Sequence, residues 1–162
     1  MIIGKGDIAS ALNDREGAIF FASGVSNSSE TRISEFNREI SLLCKQDRNK
    51  CLFYFSTITV DDITKKDIPY IQHKMKMESL VHSYFENYNI IRIGNITWGT
   101  NPNTFLNYIN NKIKNNEAVV LRDEYKYMID KKQLLLLTDN LPLAGQNRLS
   151  VFGEMKKVKD LI

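Results

Sequence analysis

Tyr70 and Lys74 form the residue pair in this sequence that is best suited to acid–base chemistry. On one helix, residues at positions i and i+4 lie on the same face. A lysine ammonium beside a phenol favours the phenolate, so Lys74 is expected to lower the pKa of Tyr70 from its usual value of about 10. Such a tyrosine can exchange a proton with a substrate hydroxyl near neutral pH. The hydroxyl of Thr57 or Ser56, at the end of an apolar segment, is a candidate to hold the same substrate oxygen.

The spacing Tyr-x-x-x-Lys is not specific by itself, because it begins at Tyr70, at Tyr108 and at Tyr127. Only the copy at Tyr70 follows an apolar segment that ends in hydroxyl side chains, residues 51–57 (CLFYFST). The apolar run and its aromatic residues predict a buried strand there. The context of the pair, rather than the pair alone, therefore identifies Tyr70 and Lys74 as candidates.

A G-x-G-x-x-A turn lies between a short apolar stretch, residues 1–3, and a segment that begins a helix. In such a turn the glycines let the backbone approach a pyrophosphate, the alanine lets the helix pack closely on the strand, and the helix N-terminus attracts phosphates. The turn predicts a dinucleotide site, although a plain strand–helix turn without a ligand is the alternative. Its residues are Gly4, Lys5, Gly6, Asp7, Ile8 and Ala9.

The rest of the chain alternates apolar segments with amphipathic ones. We predict strands at residues 18–22, 51–55, 90–94 and 118–121, and helices at residues 30–46, from Pro69 to before Asn87, and at 104–115. Residues 125–137 fit a strand followed by either a helix or a strand, and the apolar spacing in residues 150–162 predicts a helix. This alternation predicts an α/β fold with a mainly parallel sheet and a ligand site outside the carboxyl ends of its strands.

The composition restricts the classes of protein to consider. The 162 residues suit one domain, and 43% hydrophobic with 25% charged residues is typical of globular proteins. A net charge of +3 with interspersed acids does not favour a nucleic-acid partner, and no apolar run approaches a membrane span or a signal peptide, so a cytoplasmic protein is expected. With only Cys44, Cys51, His73 and His82, we expect no metal site, and we place His73 on a helix surface.

With these motifs in this order, the chain resembles the extended short-chain dehydrogenase/reductase family, in particular its branch of NAD-dependent sugar-nucleotide epimerases and dehydratases. The resemblance covers residues 1 to about 100. Besides the glycine turn and the Thr57, Tyr70 and Lys74 set, it is carried by the Phe21–Ser23 segment, by Asn37 and by residues 92–99 (RIGNITWG).

The resemblance implies a Rossmann-like three-layer fold in one domain, residues 1–162. Residues 100–162 would form a reduced C-terminal segment on the substrate side that is not independent. The family also implies NAD or NADP as cofactor, a nucleotide sugar as substrate, and a homodimer in which the helix with Tyr70 packs on its twin. For that contact, the helix offers Met77, Leu80, Val81 and Tyr84.

The resemblance also implies a role for each matched residue. Tyr70 would be the general acid/base, Lys74 would lower its pKa and bind the nicotinamide ribose, and Thr57, favoured over Ser56 by spacing, would bind the reacting oxygen. The implied cofactor-binding residues are Gly4, Lys5, Gly6, Asp7, Ile8, Ala9, Ala22, Ser23, Asn37, Ser56, Tyr70, Lys74, Gly94 and Asn95.

The chain also departs from the family pattern. The second and third strands of the family, with the acidic residue for the adenosine ribose, have no room before the strand at 18–22, so we expect about five strands. Asp61 stands where a tyrosine is usual. The alternatives are therefore a catalytically degenerate Rossmann module that serves as a binding or assembly subunit, and an unrelated α/β domain. Lys5 or Arg15 is a candidate for the 2′-phosphate of NADP, although a solvated surface charge explains either.

Overall fold

The computed structural model describes residues 1–119 and 123–161, and its centre is a five-stranded sheet in which all paired strands are parallel. The strands are β1 (Ile2–Ile3), β2 (Ala18–Phe21), β3 (Cys51–Thr57), β4 (Tyr88–Ile93) and β7 (Gln146–Val151), in the spatial order β1-β2-β3-β4-β7. This arrangement confirms the prediction of an α/β, Rossmann-like fold with about five parallel strands.

Helices cover both faces of this sheet, which gives three layers. They are α1 (Asp7–Ala11) and α5 (Lys131–Asn140) on one face and α2 (Ile33–Cys44) and α3 (Pro69–Tyr84) on the other, whereas α4 (Phe105–Lys114) lies beside the strand that carries Lys126. Side chains along β3 alternate between the faces: Phe53 packs in a core with Leu134 of α5, and Tyr54 packs in a second core with Met77 of α3. None of the helices in the described part of the chain has the length and apolar character that a bilayer crossing requires.

A smaller sheet follows β4 and faces the carboxyl ends of the main strands. It consists of β5 (Asn95–Ile96), β6 (Tyr125–Ile129) and β8 (Glu154–Lys157), with β6 parallel to β5 and antiparallel to β8. The ambiguous residues 125–137 form β6 and then α5, whose start is fixed by a capping box between Asp130 and Gln133. Of the strand predicted at 118–121, residues 120 and 121 lie outside the described residues.

The helix predicted for residues 150–162 is wrong. Of these, the described residues 150–161 form the end of β7, then β8 and a 3₁₀ helix, Val158–Leu161. Gly153, with φ of 70°, separates the two strands, and a Cβ there would lie 2.1 Å from the carbonyl oxygen of Met128. Pairing of β7 with β4 and of β8 with β6 therefore outweighs the helical spacing of the apolar residues.

Candidate functional site

A cleft of about 1370 Å³ opens at the carboxyl ends of β1, β2, β3 and β4. This is where a parallel α/β sheet places its ligands. Its opposite wall is formed by aromatic residues of α4 and the smaller sheet, among them Phe105, Tyr125 and Phe152. The predicted site residues that line the cleft are Lys5, Gly6, Asp7, Ile8, Ala22, Ser23, Ser56, Thr57, Tyr70, Lys74, Gly94 and Asn95.

Four residues singled out in the sequence do not line this cleft. Gly4 supports the turn instead: its φ is 129°, and a Cβ would lie 2.4 Å from the carbonyl oxygen of Ala22. Ala9 is buried where α1 meets the sheet, and Asn37 is exposed on α2. Arg15 donates to the carbonyls of Thr138 and Leu141 at the end of α5, so it is not placed to meet a 2′-phosphate in the cleft.

The two hydroxyls at the end of β3 have different environments. Ser56 is buried, and its hydroxyl donates to Glu78 Oε1 at 2.7 Å. Thr57 is half-buried, and its Oγ1 accepts from the backbone N–H of Thr59 at 3.2 Å and lies 3.1 Å from Thr59 Oγ1. Thr57 is therefore the more accessible of the two hydroxyls from the cleft.

Tyr70 and Lys74 lie one turn apart near the start of α3, and the lysine ammonium lies over the rings of two tyrosines. Tyr70 is half-buried, whereas Lys74 is only 3% exposed. The Lys74 Nζ lies 5.8 Å from the centre of the Tyr70 ring and 5.1 Å from the centre of the Tyr54 ring. Its hydrogen bonds are to the Tyr54 hydroxyl at 3.1 Å and to Glu39 Oε1 at 3.4 Å.

The carboxylate of Glu39 is the centre of a buried network that joins α2, α3 and β3. It accepts from the Tyr54 hydroxyl at 2.9 Å, from the backbone N–H of Val25 at 2.7 Å and from His73 Nε2 at 2.8 Å. The His73 ring also stacks on Phe36 with centroids 4.4 Å apart. The expectation that His73 lies on a helix surface is wrong, because the residue is 4% exposed and belongs to this network.

This network sets the proton affinity of the groups around it. Burial alone would raise the pKa of Glu39, but Lys74, His73 and the Val25 N–H outweigh it and hold that pKa at about 2. For Tyr70, burial raises the pKa, Lys74 lowers it and Glu39 raises it, and the result lies above the usual value. Lys74 lowers the pKa of Tyr70 as expected, but that pKa does not fall below its usual value, because burial and the Glu39 charge together exceed the effect of the ammonium.

A second ionic cluster ties the loop after β3 to the sheet. Arg92 on β4 donates to Glu78 through Nε at 3.0 Å and through its terminal nitrogen at 2.6 Å, and it also pairs with Asp61. Asp61 in turn accepts from the hydroxyl of Ser150 on β7 at 2.8 Å. Asp61 thus ties the segment that follows Thr57 to β4 and β7.

The glycine turn is tied to a distant loop through Asp7. Its two carboxylate oxygens accept from the backbone N–H groups of Thr100 at 3.0 Å and Asn101 at 2.9 Å, and its carbonyl accepts from the indole N–H of Trp98 at 3.0 Å. The side chain of Asn101 reaches on to Ser26 Oγ at 3.1 Å. Residues 98–101 therefore close this end of the cleft.

The other two copies of the Tyr-x-x-x-Lys motif differ from the first. Tyr108 and Lys112 share α4, but Tyr108 is 52% exposed. Tyr127 belongs to β6 and Lys131 to α5, so these two do not share a helix. Only Tyr70 and Lys74, among the three described pairs, combine a common helix with burial of the lysine.

Glu39 and Tyr54 are the site residues that the sequence interpretation missed. A signal was present, since Glu39 lies three residues after Phe36 and four before Leu43, on the apolar face of α2. A carboxylate at such a position requires charged or polar partners. Among the described residues, no group of three or more His, Cys, Asp or Glu side chains is placed to hold a metal ion.

Comparisons with solved structures match this fold. The enzyme WbmG of Bordetella bronchiseptica, in complex with NAD, matches with a TM-score of 0.67 and 14% identity over 89% of this chain and 53% of its own. The UDP-glucuronic acid 4-epimerase of Bacillus cereus, in complex with NAD, matches with a TM-score of 0.68 and 12% identity over 95% and 59%. The dTDP-glucose 4,6-dehydratase DesIV of Streptomyces venezuelae, with NAD bound, matches with a TM-score of 0.67 and 12% identity over 90% and 55%.

These similarities are similarities of fold. The chain has the Rossmann-like fold of sugar-nucleotide epimerases and dehydratases, and it spans little more than half the length of these three structures. No protein-family model matches the sequence, and no curated protein sequence matches it.

Proposed function

We propose that this chain is an NAD(P)-dependent enzyme of the epimerase, dehydratase or reductase type that acts on a nucleotide sugar. The observation that carries the proposal is the cleft that unites Thr57, Tyr70 and Lys74 with residues 5–8 of the glycine turn. The fold supports it, since WbmG is a structural neighbour in complex with NAD and UDP.

The residues around the cleft fit the nicotinamide ribose and the diphosphate of a dinucleotide better than its adenosine ribose. Tyr70, Lys74 and Asn95 offer a hydroxyl, an ammonium and an amide on the side where a nicotinamide ribose would bind, and the glycine turn offers backbone N–H groups for a diphosphate. Within the described sheet, β1 has β2 as its one neighbour, so there is no strand to present an acidic residue to the adenosine ribose. We assign no residue to that ribose.

In the proposed reaction, the chain's own residues position the substrate and move one proton. Thr57 Oγ1 would donate to or accept from the reacting oxygen, and the Tyr70 hydroxyl would exchange a proton with it. Lys74 would contribute positive charge on the Tyr70 side of the cleft. The cofactor would supply the hydride chemistry when bound. Residues 100–162 would supply the substrate-side wall, and the protein would be cytoplasmic.

A catalytically degenerate binding or assembly module is the second candidate. Two observations favour it: the described sheet ends at β1, and the Lys74 ammonium is already engaged by Glu39 and the Tyr54 hydroxyl. Such a module would bind a ligand or partner without turnover.

A homodimer remains part of the proposal, although fewer side chains of α3 are available for the contact than the sequence suggested. Met77 and Val81 are fully buried within the subunit, so they cannot face a twin helix. Met75, which is 47% exposed, and the half-buried Leu80 and Tyr84 remain on the outer side of α3. Sedimentation at micromolar concentration tests this point, and a monomer would remove the dimer from the proposal.

The experiment that separates the two candidates is a titration of NADH and NADPH followed by nicotinamide fluorescence. Saturable binding that is lost in Lys74→Ala supports the enzyme, since Lys74 serves both the cofactor and Tyr70. Unchanged affinity in Lys74→Ala would contradict its assignment to the nicotinamide ribose. A wild-type chain that binds neither dinucleotide would leave the binding-module candidate.

A further inference from the structure

The loop after β2, residues 22–29, lines the cleft but has few connections to the rest of the described chain. Apart from its first residue, three of its residues form hydrogen bonds to a helix or to a distant loop. The bonds of Ser23 and Ser26, at 3.2 and 3.1 Å, are exposed to water. The bond from the backbone N–H of Val25 to Glu39 Oε2, at 2.7 Å, is buried. Glu39 therefore makes the buried connection of this wall of the cleft.

Gly24 packs against the same carboxylate and against its ammonium partner. A Cβ at Gly24 would lie 2.8 Å from Lys74 Nζ and 2.9 Å from Glu39 Oε1, closer than real Cβ atoms approach such atoms. Both side chains are buried, and their charged atoms lie 3.4 Å apart. The backbone of the loop therefore lies directly on the ion pair, and it fits there because residue 24 has no side chain.

The position of the carboxylate is fixed by partners on two other elements. Its Oε1 accepts from the Tyr54 hydroxyl of β3 at 2.9 Å, and its Oε2 lies 2.8 Å from Nε2 of His73 on α3. Hydrogen bonds to an ionised group are strong where water is excluded. The carboxylate thus transmits the arrangement of α2, α3 and β3 to the loop.

We propose that Glu39 is a positioning residue for the dinucleotide: by accepting from Val25 and supporting the backbone at Gly24, it fixes the loop after β2 as a wall of the site. The inference rests on the proposed function for its ligand, because the first two residues of the loop belong to the proposed cofactor site. Glu39 does not itself line the cleft, so it acts through the loop.

The first test is Glu39→Asp, which keeps the negative charge but withdraws the carboxylate by the length of one methylene group. We expect the Val25 amide to exchange its hydrogen at least about tenfold faster than in the wild type, because a hydrogen bond to a charged group is lost. The amide of Phe53 in the buried strand β3 should keep its exchange rate. Unchanged exchange at Val25, or equal acceleration at both amides, would overturn the proposal.

Glu86→Asp is the matched control, since it makes the same substitution at an exposed position after α3. Its Val25 exchange and its affinity for NADH are expected to equal those of the wild type. Acceleration at Val25 equal to that of Glu39→Asp would show an effect that is not specific to Glu39 and would overturn the proposal.

Gly24→Ala tests the same contact from the side of the loop, because it adds one methyl group and changes no charge. A titration of NADH followed by nicotinamide fluorescence is expected to show weaker binding. In the proposed reaction, KM for the dinucleotide should rise by a larger factor than kcat falls, since the loop serves binding. Wild-type affinity in Gly24→Ala would overturn the proposal.

The double variant Gly24→Ala with Glu39→Asp tests whether the two residues act through one contact. The shorter aspartate leaves room for the added methyl group, so the double variant should lose less affinity than the two single losses combined. Losses that combine independently would overturn the proposal.

If the wild-type chain binds neither NADH nor NADPH, the proposed function fails, and the role of Glu39 in the loop is still measurable without a ligand. Hydrogen exchange at Val25 then decides whether Glu39 holds the loop. The coupling between Gly24→Ala and Glu39→Asp is then read from urea unfolding, where additive losses of stability would contradict a shared contact.

Discussion

The two ends of the cleft are each organised by one carboxylate, but in different surroundings. At the Tyr70 end, Glu39 is fully buried and pairs with a lysine that is only 3% exposed. At the glycine-turn end, Asp7 is half-buried and binds two backbone N–H groups of the loop at Thr100 and Asn101. Water can replace the partners of Asp7, whereas neither Glu39 nor Lys74 can lose its partner without leaving a buried charge. The Tyr70 end is therefore expected to be held more firmly than the turn end.

The largest expected effect is on turnover at the Tyr70 end. If the chain is an enzyme, Tyr70→Phe is expected to lower kcat by on the order of 10²–10⁴, the usual contribution of a positioned general acid/base. The fold and cofactor affinity should change little, because the change removes one hydroxyl from a half-buried side chain. Steady-state kinetics and a cofactor titration measure both.

Tyr84→Phe is the matched control for that variant. Tyr84 ends the same helix and packs under Arg48, whose guanidinium lies 4.4 Å from its ring centre. Its turnover should equal that of the wild type. Full activity in Tyr70→Phe, or an equal loss in Tyr84→Phe, would refute the role given to Tyr70.

Breaking the buried ion pair should have the next largest effect. Lys74→Met leaves Glu39 buried without its ammonium and is expected to lower the free energy of unfolding by about 3–5 kcal/mol. In the double variant Glu39→Leu with Lys74→Met, both charges are gone, so most of that loss should be recovered. Urea unfolding of the three proteins measures the difference, and a double variant less stable than Lys74→Met would contradict this account.

Lowering the pH should reduce the contribution of Glu39, at the Tyr70 end of the cleft, to the free energy of unfolding. Because the pKa of Glu39 is held at about 2 against an ordinary 4.5, its contribution to stability is present above about pH 4.5 and is lost as the pH falls towards 2. Glu39→Gln should therefore lose less stability than the wild type over that range. Other carboxylates, such as Glu30, titrate in both proteins, so the difference between their unfolding curves isolates Glu39. Identical pH dependence would show that Glu39 carries no such linkage.

The smallest expected effect is at the turn end. Asp7→Ala removes the acceptor of two loop N–H groups and is expected to cost about 1–2 kcal/mol, because these hydrogen bonds are close to water. Amide hydrogen exchange at Thr100 and Asn101 should accelerate, while exchange in β3 should not. Acceleration in both regions would mean that the two ends are not independent.

Four of the five strands of the main sheet, β1 to β4, were predictable because their signals are local, whereas β7 was not predicted. Residues 51–57 form an apolar run that ends in hydroxyls, and the structure has β3 there. The glycine turn likewise follows β1 and precedes α1. These patterns depend on neighbours within a few residues, so a single sequence contains them.

The Tyr70 environment was less predictable because it depends on distant partners. Glu39 contacts His73 and Lys74 across 34 and 35 positions of the chain, and no local pattern records that distance. The pair Tyr70 and Lys74 was found from its spacing, but the burial that raises the Tyr70 pKa and the Glu39 charge that adds to it were not. The helix predicted for residues 150–162 is wrong for the same reason, because β8 is stabilised by its pairing with the distant strand β6.

The order of strands in the main sheet also bears on how the chain folds. Strands β1, β2, β3 and β4 follow one another in space as they do in sequence, so each pairs with its predecessor. Each of these parallel pairings is closed by a crossover that contains a helix rather than by a tight turn, and such non-local pairings are expected to slow folding. Within the described sheet, β7 has the longest return, since β5, α4, β6 and α5 lie between it and β4 in the chain. Its docking is therefore expected to be the late step, and substitutions in β7 should speed unfolding more than they slow folding.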